Sequence, residues 1–305
     1  MSLTIYSKGL YSSWMLDHTD GTLFDCGEGC ATHLGNQVFA INRICFGHGH
    51  MDHIGGLLTL INIRNTAHGT KDKPLELFYP KGDQHIEGLF PYLNATQPNL
   101  KYALKTTALL PGDIIPITDK KHIRAFPTIH HSGLSLGYVV EEHRKKLAPA
   151  YAHLTQAQIR EGLQNRTINK DKLMTPFEHP TLAYTLDAYK FDTREIEGVE
   201  TLVLDTTFLA DEHETEKNED GTPKRLRNTL SHATLEEGLQ LAIDSKVSKR
   251  AILAHFSPRY KPHEIDAAVE AAKRKQKPKF QVIALSNQRK PIDLDLTIPT
   301  PNLSL

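Results

Sequence analysis

Apolar residues in this chain keep two rhythms. Short runs, alternating or continuous, predict strands at 3–6, 14–16, 22–25 and 43–46, then at 75–79, 123–126 and 137–140. Other stretches repeat every three to four residues. Leu57, Leu58, Leu60 and Ile61 mark one helix, residues 83–94 another, and Ile265, Ala268, Val269 and Ala272 one more near the end. Two further helices show their starts. Thr155-Gln156-Ala157-Gln158 and Thr234-Leu235-Glu236-Glu237 have the form of capping boxes, in which the threonine and the side chain three residues on exchange hydrogen bonds. Behind the second, Leu235, Leu239, Ala242 and Ile243 make an apolar face. Residues 201–205, 250–254 and 280–285 read as strands, and the alternation of Ile292, Leu294, Leu296 and Ile298 predicts an edge strand.

The order is strands, then strand–helix units, twice over, which is the order of an α/β protein. The first strands are expected to form an antiparallel sheet, with a short helix reaching about Val38. No repeat or linker-like stretch divides the chain, so one domain over 1–305 is expected. Residues 141–200 carry little pattern beyond the first capping box. Residues 211–227 are almost wholly polar, acidic first and basic later, as in a mobile loop.

Composition changes this picture only in part. A hydrophobic share of 39% and a charged share of 24% suit a soluble globule with a sizeable core. Lysine plus arginine equals aspartate plus glutamate at 36 each. A polyanion such as RNA would therefore have to be met by a local basic face. Cys26, Cys30 and Cys45 form no regular framework, which points to reduced thiols and an intracellular, cytoplasmic setting. The N-terminal residues show no basic stretch followed by an apolar core, and no run of eighteen apolar residues occurs. Neither a secretory signal nor a membrane span is expected.

The chemistry gathers in Gly47-His48-Gly49-His50-Met51-Asp52-His53. A strand ends before it and a helical run follows, so the loop presents His48, His50, Asp52 and His53 together. Neutral imidazoles and a carboxylate are the donors that zinc or a similar divalent ion takes. One ion cannot easily use all four groups from so short a loop. Two adjacent ions can, with His48 and His50 on one and Asp52 and His53 on the other. Asp205 and His255 each end a buried strand, and His130-His131 follows another.

The metal loop resembles the signature of the metallo-β-lactamase superfamily, a set of mostly dinuclear hydrolases. Asp25-Cys26-Gly27-Glu28-Gly29 resembles the glycine-rich turn before the metal loop of ribonuclease Z, the tRNA 3′-processing endonuclease. Ser231-His232-Ala233-Thr234 resembles its catalytic histidine motif, and His255-Phe256-Ser257-Pro258-Arg259-Tyr260 its late metal motif. The resemblance implies a four-layer αββα sandwich and two zinc ions, with manganese or iron as substitutes. One ion would take His48, His50 and His131, the other Asp52, His53 and His255, with Asp205 bridging. His131 stands seven residues before Tyr138, the family's spacing; His130 stands three after Pro127, also a family spacing, and competes with it. Asp52 would accept a proton from the attacking water. His232, placed before a helix N-terminus, would contact a phosphate oxygen or donate a proton to the leaving group. Glu28 would orient the metal loop from behind.

The implied substrate is RNA, at the 3′ trailer of precursor tRNA. The alternative is a small diester or cyclic nucleotide cut by the same chemistry. Neutral charge favours the alternative, as does a 141–200 interval without the glycine- and proline-rich, basic arm that bacterial ribonuclease Z enzymes use to grip tRNA. Lys8-Gly9-Leu10-Tyr11 also replaces the family's proline- and arginine-bearing loop, which leaves substrate choice open. A different class, a metal-bound binding or redox module like the flavodiiron proteins, lacks its flavin domain in 305 residues. A second copy of the chain is an expected partner, since family members are commonly dimers.

Overall fold

The computed structural model describes residues 1–66, 73–130, 133–210, 231–286 and 290–297. His131, the loop expected at 211–227 and Ile298 lie outside them. In chain order the strands are β1 (Ser2–Lys8), β2 (Ser12–Asp17), β3 (Thr22–Phe24), β4 (Arg43–Cys45), β5 (Leu75–Pro80), β6 (Leu104–Leu109), β7 (Ile114–Thr118), β8 (Lys121–Ile129), β9 (Ser135–Leu147), β10 (Met174–Thr185), β11 (Lys190–Phe191), β12 (Thr201–Asp205), β13 (Arg250–Ala254), β14 (Gln281–Ala284) and β15 (Ile292–Asp295). The helices are α1 (Cys30–Leu34), α2 (Met51–Ile54), α3 (Leu57–Thr66), α4 (Gln84–Thr96), α5 (Gln156–Gln164), α6 (Leu235–Asp244) and α7 (Pro262–Gln276).

The strands form two sheets, ordered β15-β1-β2-β3-β4-β5-β6 and β11-β8-β9-β10-β12-β13-β14, with β7 paired to β8. The period of two along each strand explains the layering. Phe24, Cys45 and Phe78 point inward and meet Tyr138, Leu182, Tyr184, Val203 and Ile252 of the second sheet. Their neighbours Leu23, Ile44 and Leu77 point outward, onto Leu57, Leu60 and Ile61 of α3 and Ile86 and Leu93 of α4. On the far side Ala183, Leu202 and Leu253 pack against Leu235 and Leu239 of α6 and Ile265 and Val269 of α7. This is an αββα sandwich.

Both capping boxes form: the Thr155 and Thr234 hydroxyls accept from the Gln158 and Glu237 amides, and those side chains reach back to the cap backbones. The first sheet departs from expectation. β1, β2 and β3 are antiparallel, but β3, β4, β5 and β6 run parallel. Helical connections between those strands force that direction. The stretch to Val38 splits into α1 and a 3-10 turn over Gly35–Ala40. The interval 141–200 holds a long antiparallel hairpin. β9 and β10 pair from Tyr138–Tyr184 out to Leu147–Met174, with α5 in their connection.

The arrangement aims several strand ends at one place. β10, β12 and β13 are parallel neighbours, with Thr185 beside Leu204 and Asp205 beside Ala254. Whatever follows them emerges at the same edge, as is usual for sites on parallel strands.

Candidate metal centre

Phe46 to His50 leave β4 as a loop, and α2 begins at Met51. The loop is seated by close backbone packing: a Cβ at Gly27 would lie 2.2 Å from the Asp52 carbonyl oxygen. His48 and His50 face His130, which follows β8, with ring centroids 4.4 to 5.0 Å apart. Beside them stands a second group. His255 Nε2 is 3.3 Å from Asp52 Oδ2, and His53 Nε2 is 3.5 Å from the same oxygen. Asp187, two residues beyond β10, joins the groups. Its Oδ2 lies 3.1 Å from His53 Nε2, 3.5 Å from His48 Nε2 and 3.7 Å from His130 Nε2, and its Oδ1 lies 2.9 Å from His255 Nε2.

Three overlapping sets of donor atoms result, His48, His50, His130 and Asp187, then Asp52, His53, Asp187 and His255, then Asp187, Asp205, His232 and His255, the atoms of each set lying within 4.8 Å of one another. His48 Nε2, His53 Nε2 and Asp187 Oδ1 are buried and make no hydrogen bond. Buried polar atoms in that state are costly unless something else uses their lone pairs. Imidazole and carboxylate donors so placed fit divalent metal.

The rear of each ring is held. His53 Nδ1 donates to Asp25 Oδ2 at 2.7 Å, His130 Nδ1 to the Ser231 carbonyl at 2.8 Å, and His255 Nδ1 to the Thr207 hydroxyl at 3.0 Å. Each bond fixes the tautomer and leaves Nε2 facing the centre. Asp25 also accepts from the Gly47 amide at 2.8 Å and the Tyr184 hydroxyl at 2.8 Å. It ties together the metal loop, α2 and β10. Among the described residues, seven non-glycines have positive φ, and Leu10, Asp25, Asp187 and His255 are four of them. Such backbone costs gather where geometry is imposed by function rather than by local preference.

His232 sits next to the second group, stacked on His255 with centroids 5.3 Å apart. Its Nδ1 donates to Asp205 Oδ2 at 2.7 Å. Asp205 Oδ1 accepts from the Thr207 amide and hydroxyl at 2.7 and 2.6 Å.

Without metal, charge is shared unevenly. Burial and the neighbouring His53 push His48 well below its ordinary pKa. Burial also opposes charging of His53 and His255, but Asp187 outweighs it. His53 is held well above its ordinary value, and His255 is pushed up to about 10. Burial works against His232 too, and Asp205 and Asp187 raise it. Burial would raise Asp187 and Asp52, yet His255 and His53 hold both carboxyls down.

Comparison with known proteins agrees. The Beta-lactamase superfamily domain matches residues 22–168. The chloroplastic tRNase Z of Arabidopsis thaliana is 28% identical over 253 residues, 81% of this chain. The match spans 65% of that relative's length. Ribonuclease Z of Halorubrum lacusprofundi is 26% identical over 264 residues, 79% of this chain and 78% of its own. Human tRNase Z, short form, superposes with a TM-score of 0.62 at 16% identity, covering 98% of this chain and 100% of that one.

The chain is similar to ribonuclease Z of the metallo-β-lactamase superfamily.

In this centre His48, His50, Asp52, His53 and His255 come together, as the loop and strand ends imply. His130, the competing histidine, turns its ring into the first group. Asp205 lies in a further such group, with Asp187, His232 and His255. The carboxylate common to the first two groups is Asp187, while Asp205 spends both oxygens on Thr207 and His232. Glu28 is corrected. Its side chain is exposed, and Asp25 does the bracing behind the metal loop. Asp187 had a signal: a run from Thr181 to Leu186 ending in a carboxylate, the same pattern that marks Asp205.

Two openings reach the centre. A cavity of about 380 Å³ on the His48–His50–His130 side is lined by Lys81, Gln84 and His85. A smaller one, about 100 Å³, lies on the His232–His255 side between Leu10, Phe208 and Arg259. No described helix is long and apolar enough to cross a membrane.

Proposed function

We propose that this chain is a metal-dependent phosphodiesterase that cleaves RNA, at the 3′ trailer of precursor tRNA as the resemblance implies. The observation that carries the reading is Asp187 shared by two ligand groups, with an Asp205-braced histidine beside them. His48, His50 and His130 would hold one zinc ion, Asp52, His53 and His255 the other, and Asp187 both, with manganese or iron as substitutes. When bound, such a pair supplies Lewis acidity to the phosphoryl oxygens and draws the pKa of water toward neutrality.

The chain's own groups do the rest. Asp52 is ionised and beside His255, placed to take the proton of the attacking water. Against burial, Asp205 and Asp187 raise the pKa of His232 and so favour its protonated form, which suits it to give a proton to the departing alkoxide. Asp205 fixes its orientation. Exposed Lys145 and Lys146, on the outer half of β9, offer local positive charge with which a neutral chain could meet RNA. The unit is read as one domain, 1–305, in a cytoplasmic setting that keeps the buried thiols of Cys26, Cys30 and Cys45 reduced. The reading also includes pairing with a second copy of the chain, which a sedimentation mass of one chain would refute.

The test is cleavage of bis(p-nitrophenyl) phosphate and of precursor tRNA, before and after chelation and zinc restoration. His232→Ala should keep its metals and lose turnover by about 10²- to 10⁴-fold. Unchanged turnover refutes the role. The second reading, a small diester or cyclic nucleotide substrate, is favoured by the net charge of zero. Cleavage of cyclic nucleotides with none of precursor tRNA at low salt selects it.

A further inference from the structure

We infer that the Lys8–Tyr11 turn, together with Phe208 and Arg259, is a ring-binding subsite that takes the aromatic or nucleobase group esterified on the His232 side of the phosphodiester. The inference rests on the phosphodiesterase reading and adds a specificity determinant to it.

The turn joins β1 to β2 and is closed by the Tyr11 amide donating to the Lys8 carbonyl at 3.0 Å. Leu10, its third residue, has φ of 67° and is 81% exposed. A left-handed backbone disfavours any residue with a Cβ, and a turn needing that φ is best served by glycine. Folding therefore gains nothing from leucine there, neither burial nor backbone ease. The turn is nevertheless held firmly to the centre. A Cβ on Gly9 would lie 3.0 Å from the His255 carbonyl oxygen and 3.2 Å from that of Phe256. The exposed leucine is thus fixed relative to His255.

Leu10 forms one wall of the small cavity whose other members include Phe208, Arg259, His232 and His255. The Arg259 guanidinium lies over the Phe208 ring at 5.5 Å, and that ring meets His232 edge-on at 6.2 Å. An aliphatic wall facing flat, polarisable groups suits a planar ring by stacking and apolar contact. Among the described residues no carboxylate lines the cavity. Its volume, about 100 Å³, admits one ring and no more. The larger opening is polar, lined by Lys81, Asp83, Gln84 and His85, and leaves room for the polar continuation of the substrate. The two openings therefore sort the two ester groups of a diester by chemistry.

Leu10→Gly tests this without threatening the fold, because glycine suits the turn. With zinc-loaded protein and bis(p-nitrophenyl) phosphate, KM should rise about 3- to 10-fold while kcat stays within about twofold, the loss expected when an apolar wall no longer covers a ring. Leu10→Phe should restore KM to the parent value or below. An unchanged KM in Leu10→Gly, or an equal rise in Leu10→Phe, overturns the subsite while the phosphodiesterase reading stands. Absence of zinc-dependent hydrolysis by the parent protein overturns that reading and the subsite with it.

Discussion

Replacing Asp25 by asparagine separates the bracing of the centre from its ligands. Asparagine tolerates the left-handed backbone that Asp25 adopts at φ 57°, so the chain path is spared. The carboxylate accepts three hydrogen bonds, from the Gly47 amide, His53 Nδ1 and the Tyr184 hydroxyl. An amide keeps one oxygen. If that oxygen stays on Gly47, the new NH₂ faces His53 and Tyr184, both of them donors. His53 can then accept at Nδ1 only by moving its proton to Nε2, the atom that faces Asp187 at 3.1 Å. Metal must displace that proton. Changes of this kind weaken metal affinity by about 10- to 100-fold. At a fixed free zinc concentration well above saturation, a 100-fold weaker site removes about 2.7 kcal/mol of metal-derived stability. The assay is competition against a chromophoric zinc chelator, paired with thermal unfolding in zinc and in chelator. Zinc binding as tight as the parent's, with the same zinc-induced rise in Tm, would refute the reasoning.

Other predictions concern charge and core. In chelated protein, His255 is raised from 6.5 to about 10, so its stabilising contribution is full below 6.5 and is lost as pH rises through about 10. Asp187 is depressed, so its contribution is present above 3.8 and is lost in acid. Unfolding of chelated protein should therefore show stability falling as pH rises from 6.5 to 10, and stability rising over that range would contradict this. Zinc must displace the histidine protons, so the Tm gain from zinc should grow with pH over the same range. Asp205→Asn removes the charge that raises His232, so the alkaline limb of the rate profile should move to lower pH, with metal content unchanged by elemental analysis. Arg64 is fully buried and donates to the carbonyls of Val38, Ile41 and Lys73. Arg64→Met should cost about 2–4 kcal/mol in denaturant unfolding, since it strands those oxygens.

Much of the centre is legible in one dimension because its largest part is local. His48, His50, Asp52 and His53 share a loop, and spacing alone brings them together. Asp205 and His255 show as carboxylate and imidazole at the ends of apolar strands. What sequence cannot show is which strand end lies between the two groups. Asp187 follows a strand whose outer half carries Pro176, Glu178, His179 and Pro180, so its apolar run looks too short to be a central strand. Pairing with β9 on one side and β12 on the other makes it central. Spacing alone leaves His130 and His131 both open as ligands. Only the fold brings His130 to His50. The second sheet's edge strands and the parallel half of the first escape notice for the same reason, since pairing direction is set by connections through space.

Asp187 belongs to both halves of the centre, and that has a consequence for loading. A side chain held in common makes the two binding events interdependent: the first ion fixes the carboxylate and displaces the protons on the rings around it, which readies the place for the next. Half-filled molecules should therefore be scarce at intermediate zinc, and the population should divide between empty and full.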